Sequence, residues 1–340
     1  MSCLLEVKDL HVHFESKNRS VHAVRGVSFH VNKGEVLAIV GESGSGKSVT
    51  AKSIMKLLPP KGSSVKKGSI LFNENEITTM SKKELAQIRG SKIGMIFQDP
   101  MTSLNPTMKV GDQIAEVLVV HKGITMKEAR KQAIELIQLV RIPNAVHCCN
   151  KYPHQLSGGM RQRIVIAMAI ICEPDLLIAD EPTTALDVTI QAQILDLLKE
   201  IQEKMGMAII LITHDLGVVA KFADRVNVMY AGKIVENGTT EDIFNNAKHP
   251  YTLGLLHSVP KLDQDQTQRL TSIDGTPPDL ATSIKGCAFA ARCQYAMDVC
   301  DEYDPEASPL SKTQAANCWL LDKRAPRVDP TVELHDASNG

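Results

Sequence analysis

The segment with the strongest chemical signal combines glycines, hydroxyl groups and one lysine in the spacing G-x-x-x-x-G-K-S. It reads Gly41-Glu42-Ser43-Gly44-Ser45-Gly46-Lys47-Ser48. Glycines let a backbone wrap tightly, so that its N–H groups converge on phosphate oxygens. Lysine in the seventh position reaches the β- and γ-phosphates, and the following hydroxyl binds Mg²⁺. The segment follows an apolar, β-branched run at 36–40 and precedes a helical pattern at 47–58, which is the context that this motif requires.

Polar side chains also follow three other apolar runs that read as buried strands. Asp180 and Glu181 come directly after 176–179, and they suit Mg²⁺ binding and the polarisation of an attacking water, respectively. His214 follows the run 208–213 and could hydrogen-bond a γ-phosphate or water, and Gln98 follows 92–97 and could contact Mg²⁺ and water. Each residue alone is more often an ordinary strand end, so the prediction depends on their occurrence together with the phosphate loop.

A second helix start with phosphate-binding character lies at Leu156-Ser157-Gly158-Gly159-Met160. A helix N-terminus offers backbone N–H groups and a positive dipole end, and Ser157 adds a hydroxyl. We therefore expect this helix start to lie against a bound phosphate group. If that phosphate is bound by another chain, the protein works as half of a pair.

The elements that must position these residues alternate between strands and helices around a largely parallel sheet, which predicts an α/β fold. Residues 4–31 alternate in a strand-like way, 190–204 reads as a helix, and 226–236 reads as a hairpin. Residues 110–142 show helical spacing between strands of the main sheet. They indicate an inserted helical subdomain at about 100–170, within a first domain at 1–249.

Composition limits the class of protein. Net charge is −1 and hydrophobic residues make up 43% of 340 residues, which allows a large core and gives no support for bulk electrostatic binding of nucleic acid. The chain has no apolar run near the length of about 20 residues that spans a bilayer, and no signal-peptide pattern at its start. We therefore expect a cytosolic protein that reaches a membrane only through partners.

A composition shift near Pro250 predicts a second, small and irregular domain at 250–325, followed by a loose tail at 326–340. Its four cysteines, Cys287, Cys293, Cys300 and Cys318, have the spacing C-x5-C-x6-C-x17-C. Disulfides are disfavoured in a reducing cytosol, and zinc ribbons favour closer C-x2-C pairs. Four thiolates on irregular backbone can hold a [4Fe–4S] cluster; zinc and free or oxidised thiols remain alternatives.

Taken together, the motifs over residues 4–245 resemble the ATP-binding-cassette (ABC) ATPases, a branch of the P-loop NTPases. The loop 41–48 corresponds to the family's Walker A motif, Gln98 to its Q-loop, Leu156–Met160 to its signature, Asp180-Glu181 to its Walker B motif, Ala185-Leu186-Asp187 to its D-loop and His214 to its switch histidine. The resemblance implies that Ser48, Gln98 and Asp180 hold Mg²⁺ and that Glu181 is the general base, with His214 as its companion. It also implies that Phe14 stacks on adenine. Two such domains would close head to tail around two ATPs, each bound by the phosphate loop of one domain and by Ser157, Gly158, Gly159 and Asp187 of the other.

Several departures from the common pattern resemble one branch, the ATPase subunits of dipeptide and oligopeptide importers. Met160 replaces a usual Gln, the helix 166–169 lacks a usual Arg, the Q-loop is extended over 98–106, and His249-Pro250-Tyr251-Thr252 precedes the Cys-rich tail. With this branch the resemblance extends to about residue 325. It implies a non-identical sister ATPase, two transmembrane permease subunits that dock coupling helices near 100–155, and indirectly an extracytoplasmic binding protein.

The resemblance also implies a place at the cytoplasmic face of a bacterial membrane, and it is consistent with the cluster at the cysteines. Nickel importers share much of the pattern, so nickel or another small solute is the alternative cargo. A soluble ABC ATPase unconnected with transport is a further alternative, as is a module that binds ATP but barely hydrolyses it. The former usually carries two cassettes or a long coiled coil, and an intact Glu181 and His214 argue against the latter.

Overall fold

The computed structural model describes residues 2–17, 19–184, 186–258, 273–326 and 328. The strands are β1 (Cys3–Ser16), β2 (Arg19–Asn32), β3 (Val36–Val40), β4 (Ser63–Phe72), β5 (Asn75–Glu76), β6 (Ile93–Ile96), β7 (Leu176–Asp180), β8 (Ala208–Thr213), β9 (Arg225–Tyr230), β10 (Lys233–Thr239), β11 (Ser308–Pro309) and β12 (Ala315–Ala316). The α-helices are α1 (Lys47–Ile54), α2 (Lys82–Ile88), α3 (Pro100–Ser103), α4 (Val110–Lys122), α5 (Met126–Leu139), α6 (Ala145–Cys148), α7 (Gly158–Ile170), α8 (Val188–Met205), α9 (Leu216–Phe222), α10 (Thr240–Asn246), α11 (Pro250–His257) and α12 (Asp298–Glu302).

The chain forms two compact units that interleave along the sequence. The first unit comprises 1–5, 30–36 and 71–212, and the second comprises 6–29, 37–70 and 213–340. These units are a different division from the sequence domains 1–249 and 250–325, which remain a prediction.

The first unit contains three parallel strands in the order β8-β7-β6. In this register Ile96 pairs with Ala179, and Asp180 pairs with Ile212. All five residues of β7 and all six of β8 are buried, as expected for parallel strands that are covered on both faces. The carboxyl ends of β6 and β7 therefore lie side by side, and Gln98 and Glu181 follow them.

The inserted helices of the first unit are α3 to α7. Helix α4 ends at Gly123, whose φ of +65° is a left-handed C-cap. Helix α5 begins with a capping box, because Thr125 accepts from the Glu128 amide and the Glu128 carboxylate accepts from the Thr125 amide. The pattern at 110–142 is thus two helices joined by a short turn.

The second unit contains a sheet in the order β11-β12-β10-β9-β3. Strands β3 and β9 are parallel, whereas β9, β10, β12 and β11 pair antiparallel in turn. The predicted hairpin at 226–236 is confirmed as β9 and β10. Strand β12 belongs to the C-terminal region and extends this hairpin, with Ala316 opposite Glu236.

One apolar core joins the phosphate-loop strand to the C-terminal region. Val40 of β3, Tyr230 of β9, Tyr251 of α11 and Phe289 belong to the same buried cluster, against which Cys287 and Cys293 also pack. The Phe289 ring lies 5.3 Å from the ring of Tyr230 and 5.4 Å from that of Tyr251. Such aromatic contacts add to the stabilisation from area burial.

Strand and helix predictions were confirmed for β3, β6, β7, β8 and α8, and the alternation of strands and helices agrees with the predicted α/β class. The predicted helix 47–58 ends earlier, at Ile54, since Lys56 has a φ of +45°. Strand β4, which lies next to β1 in a sheet ordered β2-β1-β4, was not predicted. The predicted tail 326–340 lies almost entirely outside the described residues. Among the described helices, none is long and apolar enough to cross a membrane.

Candidate nucleotide site

The phosphate loop connects β3 to α1 in the second unit and depends on glycine at two positions. A Cβ at Gly41 would lie 2.1 Å from the Met229 carbonyl oxygen, and a Cβ at Gly46 would lie 2.7 Å from that of Ala23. Both distances exclude a side chain. Gly46 also has a φ of +101° directly before α1, which is readily adopted only by glycine. The loop therefore wraps closely at the start of a helix, as the sequence motif predicts.

Lys47 directs its ammonium group back over this loop. Its Nζ donates to the carbonyl oxygens of Gly41 at 2.8 Å and of Glu42 at 2.9 Å, and lies 3.5 Å from Ser45 Oγ. The side chain is 5% exposed. A buried positive charge is thus held at the loop itself, where an anionic ligand would gain most from it. Ser43 and Gly44, at the crest of the loop, are exposed.

Glu42 contacts two residues of the C-terminal region that the sequence did not indicate as site residues. Its backbone N–H donates to the Tyr251 hydroxyl at 2.8 Å, and its carboxylate forms an ion pair with Arg292. In the sequence, Tyr251 is distinguished only as part of the segment His249-Pro250-Tyr251-Thr252. Arg292 lies 250 positions from Glu42 along the chain, and no sequence signal relates the two.

In the first unit, the structure brings Gln98 and Glu181 together. The Gln98 side-chain amide donates to Glu181 Oε2 at 2.9 Å, and the Thr184 hydroxyl donates to the same oxygen at 3.0 Å. Glu181 has a φ of +48°, a conformation that is uncommon for residues other than glycine. Its N–H donates to the Ile212 carbonyl at 2.9 Å, which fixes the residue at the end of β7. The preceding Asp180 is 1% exposed. Thr184 was missed because a lone threonine after two acids carries no pattern.

The signature segment begins α7 with Ser157 as its N-cap. The Ser157 hydroxyl accepts from the Met160 N–H at 3.4 Å, and both Ser157 and Gly158 are exposed. A Cβ at Gly159 would lie 2.9 Å from Ile190 Cγ2, so that glycine is needed for packing against α8. The Arg161 guanidinium donates to the carbonyl oxygens of Pro153 and Leu156, which holds the chain just before the helix.

The remaining predicted site residues lie at exposed or half-buried positions. Asp187 is the N-cap of α8 and accepts from the Ile190 N–H at 2.9 Å. Ala185 of the same predicted loop lies outside the described residues. In the second unit, His214 follows β8 and is exposed, and Phe14 is half-buried in β1.

The four C-terminal cysteines all belong to the second unit and are buried or half-buried. Cys300 is buried, the other three are half-buried, and the Cys287 N–H donates to the Cys300 carbonyl at 2.7 Å. The pKa of the Cys318 thiol is raised to about 12, mainly by burial and to a smaller extent by charge repulsion from Cys287, Cys293 and Cys300. Burial likewise raises the pKa of Cys287 to about 11. Within the described residues, however, no three His, Cys, Asp or Glu side chains form a group that could hold a metal ion. The predicted iron–sulfur cluster gains no support from this geometry.

Comparison with known proteins agrees with the predicted family in both parts of the chain. A family model described as "ABC transporter" matches residues 24–184, and one described as "Oligopeptide/dipeptide transporter, C-terminal region" matches residues 235–300. A solved dimeric structure of the ATP-binding cassette MJ0796 bound to ADP and Pi is similar, with a TM-score of 0.63 and 28% identity. It is matched over 70% of this chain and 99% of its own.

Curated relatives match over nearly the whole length. The dipeptide transport ATP-binding protein DppD of Bacillus subtilis is 59% identical over 325 residues, which are 96% of this chain and 97% of that protein. The oligopeptide transport ATP-binding protein OppD of the same organism is 58% identical, over 96% of this chain and 91% of its own. The phosphate loop, the Gln98–Glu181 pair and the C-terminal region thus occur together in a chain that belongs to the oligopeptide/dipeptide importer family of ABC transporter ATP-binding subunits.

Proposed function

We propose that this chain hydrolyses ATP to power the import of dipeptides or oligopeptides through an ABC transporter. The observation that carries the proposal is the end-to-end similarity to peptide-transport ATP-binding proteins, with the C-terminal region included. The geometry supports the ATPase part, because a carboxylate oriented by an amide lies at the end of β7.

The phosphate loop, 41–48, is proposed to bind the ATP phosphates through its backbone N–H groups and Lys47. Phe14 is proposed to stack on the adenine. The Ser48 hydroxyl, the Gln98 amide oxygen and the Asp180 carboxylate are hard oxygen ligands of the kind that Mg²⁺ prefers, so these residues fit the metal. When bound, Mg²⁺ would neutralise charge on the phosphates.

Glu181 is proposed to accept the proton of the attacking water, with His214 as a hydrogen-bonding companion. Hydrogen bonds from Gln98 and Thr184 to Oε2 orient the carboxylate, and a carboxylate held in a fixed orientation suits a general base. Phosphoryl transfer to water depends mainly on such positioning and on charge stabilisation.

Peptide import is tested by uptake of labelled dipeptides, oligopeptides and Ni²⁺ in cells that lack this chain and in cells in which it is restored. We expect restored peptide uptake and unchanged Ni²⁺ uptake. Restoration of Ni²⁺ uptake alone would favour the nickel alternative. Restoration of neither, with the partner subunits present, would contradict a role in transport.

The chain is proposed to pair with a non-identical sister ATPase, so that Ser157, Gly158, Gly159 and Asp187 face ATP bound by that partner. The exposure of Ser157 and Gly158 at a helix start supports this part. The test of this pairing measures the molecular mass in solution of the Glu181→Gln chain with MgATP, first alone and then mixed with the sister subunit. We expect a dimer only in the mixture, and a stable homodimer would contradict it.

Two transmembrane permease subunits at the cytoplasmic face of the cell membrane are the proposed docking partners, and an extracytoplasmic binding protein would act indirectly. Sedimentation with membranes in the presence and absence of the permeases tests this placement. We expect the chain in the membrane fraction only when the permeases are present.

A [4Fe–4S] cluster at Cys287, Cys293, Cys300 and Cys318 is the finer proposal for the C-terminal region. Its support is the sequence alone, which has four cysteines in the spacing C-x5-C-x6-C-x17-C on irregular backbone. Because these thiols must lose protons whose pKa is raised, metal binding should release protons and strengthen with pH. Anaerobic purification with iron, sulfide and zinc analysis separates the cluster from a zinc site and from free thiols. No step of ATP hydrolysis depends on it.

A further inference from the structure

The Arg292 side chain is almost completely buried, and its guanidinium group hydrogen-bonds to several residues at once. Nη1 donates to Glu42 Oε2 at 2.7 Å and Nη2 donates to Glu42 Oε1 at 3.0 Å. The remaining donors reach the Tyr230 hydroxyl and the carbonyl oxygens of Ile273 and Asp274. The side chain is 4% exposed, and that of Glu42 is 28% exposed. A two-pronged ion pair of this kind fixes orientation as well as charge.

Residue 42 is held at each of its polar groups. Its carbonyl oxygen accepts from Lys47 Nζ, its N–H donates to the Tyr251 hydroxyl, and its carboxylate accepts from Arg292. Tyr251 is fully buried and belongs to α11, and Arg292 closes the short 3-10 turn Ala290–Arg292. Lys47 thus holds residue 42 from within the phosphate loop, whereas Tyr251 and Arg292 hold it from the C-terminal region.

The charge of Glu42 makes its partner important. A carboxylate in the second position of a phosphate-binding loop would repel the anionic ligand, most strongly where the surroundings are partly desolvated. Arg292 offsets that charge, and the hydrogen bond with Glu42 raises the pKa of Arg292 further above its usual value. The guanidinium therefore stays charged at neutral pH.

We propose that Arg292 is a positioning residue for ATP binding, which neutralises Glu42 and fixes the conformation of the phosphate loop from the C-terminal region. The inference rests on the proposed function, since it assigns a role toward the same ligand. It gives the C-terminal region a direct part in nucleotide affinity through a contact that does not require any metal at the cysteines.

A second ion pair in the same unit provides a matched control. Arg19 Nη2 donates to both carboxylate oxygens of Asp279 at 2.7 Å, so it also joins the N-terminal strands to the C-terminal region. Both side chains are more than half exposed, at 58% and 52%, and neither residue belongs to the phosphate loop. Exposed pairs contribute little, and Arg19→Gln removes an arginine without disturbing Glu42.

The test compares the full-length wild-type chain with Arg292→Gln, Arg292→Lys, Arg19→Gln and the double variant Glu42→Gln/Arg292→Gln. The dissociation constant for MgATP is measured with a fluorescent ATP analogue, and KM and kcat are measured for ATP hydrolysis. We expect Arg292→Gln to raise the dissociation constant and KM about tenfold, with kcat changed much less. Arg292→Lys should recover part of the affinity, the double variant most of it, and Arg19→Gln should match the wild type.

Wild-type affinity in Arg292→Gln would overturn the proposal, as would a double variant that binds MgATP no better than Arg292→Gln. If Arg292→Gln does not fold, Arg292→Lys carries the same test, with an expected loss of about threefold and wild-type affinity as the contradicting result. A wild-type chain that does not bind MgATP would instead refute the proposed function. The two failures are therefore distinguishable.

Discussion

At the scale of single residues, the account depends most on Glu181 and the two donors that orient it. Gln98 and Thr184 both bind Oε2, and the left-handed backbone of Glu181 presents this carboxylate just beyond β7. Backbone conformations of this kind are maintained only where the surroundings enforce them. Here the N–H bond to Ile212 and the register of β7 on β8 do so.

Replacement of Glu181 by Gln removes the base but keeps the size of the side chain. We expect ATP hydrolysis to fall by about 10²–10⁴-fold, the usual contribution of a general base, while MgATP binding persists. Steady-state hydrolysis and equilibrium nucleotide binding on the same preparation are the measurements. Normal turnover by the variant would refute the role of Glu181.

His249 is a second single residue with a testable effect, because it makes the free energy of unfolding depend on pH. It is 1% exposed and its Nδ1 accepts from the Tyr251 N–H at 3.1 Å. Burial lowers its pKa from 6.5 to about 4. Because the unfolded chain binds this proton more readily than the folded chain, the stability contributed by neutral His249 is present above pH 6.5. It is lost as pH falls toward 4, by about 3 kcal/mol in all.

His249→Asn keeps an acceptor for the Tyr251 N–H and removes the titration. The free energy of unfolding is measured for both chains by urea denaturation at a series of pH values. As pH falls from 6.5 to 4, we expect this free energy to fall more steeply for the wild type than for the variant. Glu236, which accepts from the His249 N–H and whose pKa burial raises, is present in both chains and cancels in the difference. Parallel curves would contradict the assignment.

At the scale of elements, buried strands were predictable and contacts across long sequence separations were not. Strands β3, β7 and β8 are continuous apolar runs, which is the pattern of parallel strands covered on both faces. Strand β4 was missed because Lys66-Lys67-Gly68 interrupts it at an exposed stretch. The Arg292–Glu42 pair could not be found, since neither residue carries a periodic or motif signal for the other.

The start of α7 gives an element-scale prediction, because Ser157 is both a helix cap and a proposed phosphate contact. Ser157→Asp keeps a side chain that caps helices well, yet it places a negative charge where a partner's ATP is proposed to lie. The free energy of unfolding should therefore change little, whereas the rate of ATP hydrolysis by the assembled transporter should fall at least about tenfold.

Ser157→Ala is the matched variant. It should lower the free energy of unfolding by about 1 kcal/mol through loss of the cap and should impair hydrolysis less than Ser157→Asp does. MgATP binding by the isolated chain should be unchanged in both variants, since Ser157 is proposed to face the ATP of another subunit. Equal hydrolysis by Ser157→Asp and wild type would contradict that placement.

At the scale of the whole molecule, the C-terminal region belongs to the same core as the phosphate-loop strand. Phe289 and Tyr251 pack in one cluster with Val40, and β12 extends the β9–β10 hairpin. The small domain at 250–325 that the change in composition at Pro250 indicates stays a prediction, because composition does not reveal what a segment packs against. The structure thus links the region that distinguishes this branch of the family to the residues proposed to bind ATP.

The most direct test of the central claim is peptide uptake into vesicles that contain the assembled transporter, with ATP supplied on the side of this chain. The account predicts ATP-dependent accumulation of labelled peptide with the wild-type chain, and almost none with Glu181→Gln despite retained ATP binding. Accumulation at the wild-type rate with Glu181→Gln, or without ATP, would contradict the claim that hydrolysis at this chain powers import.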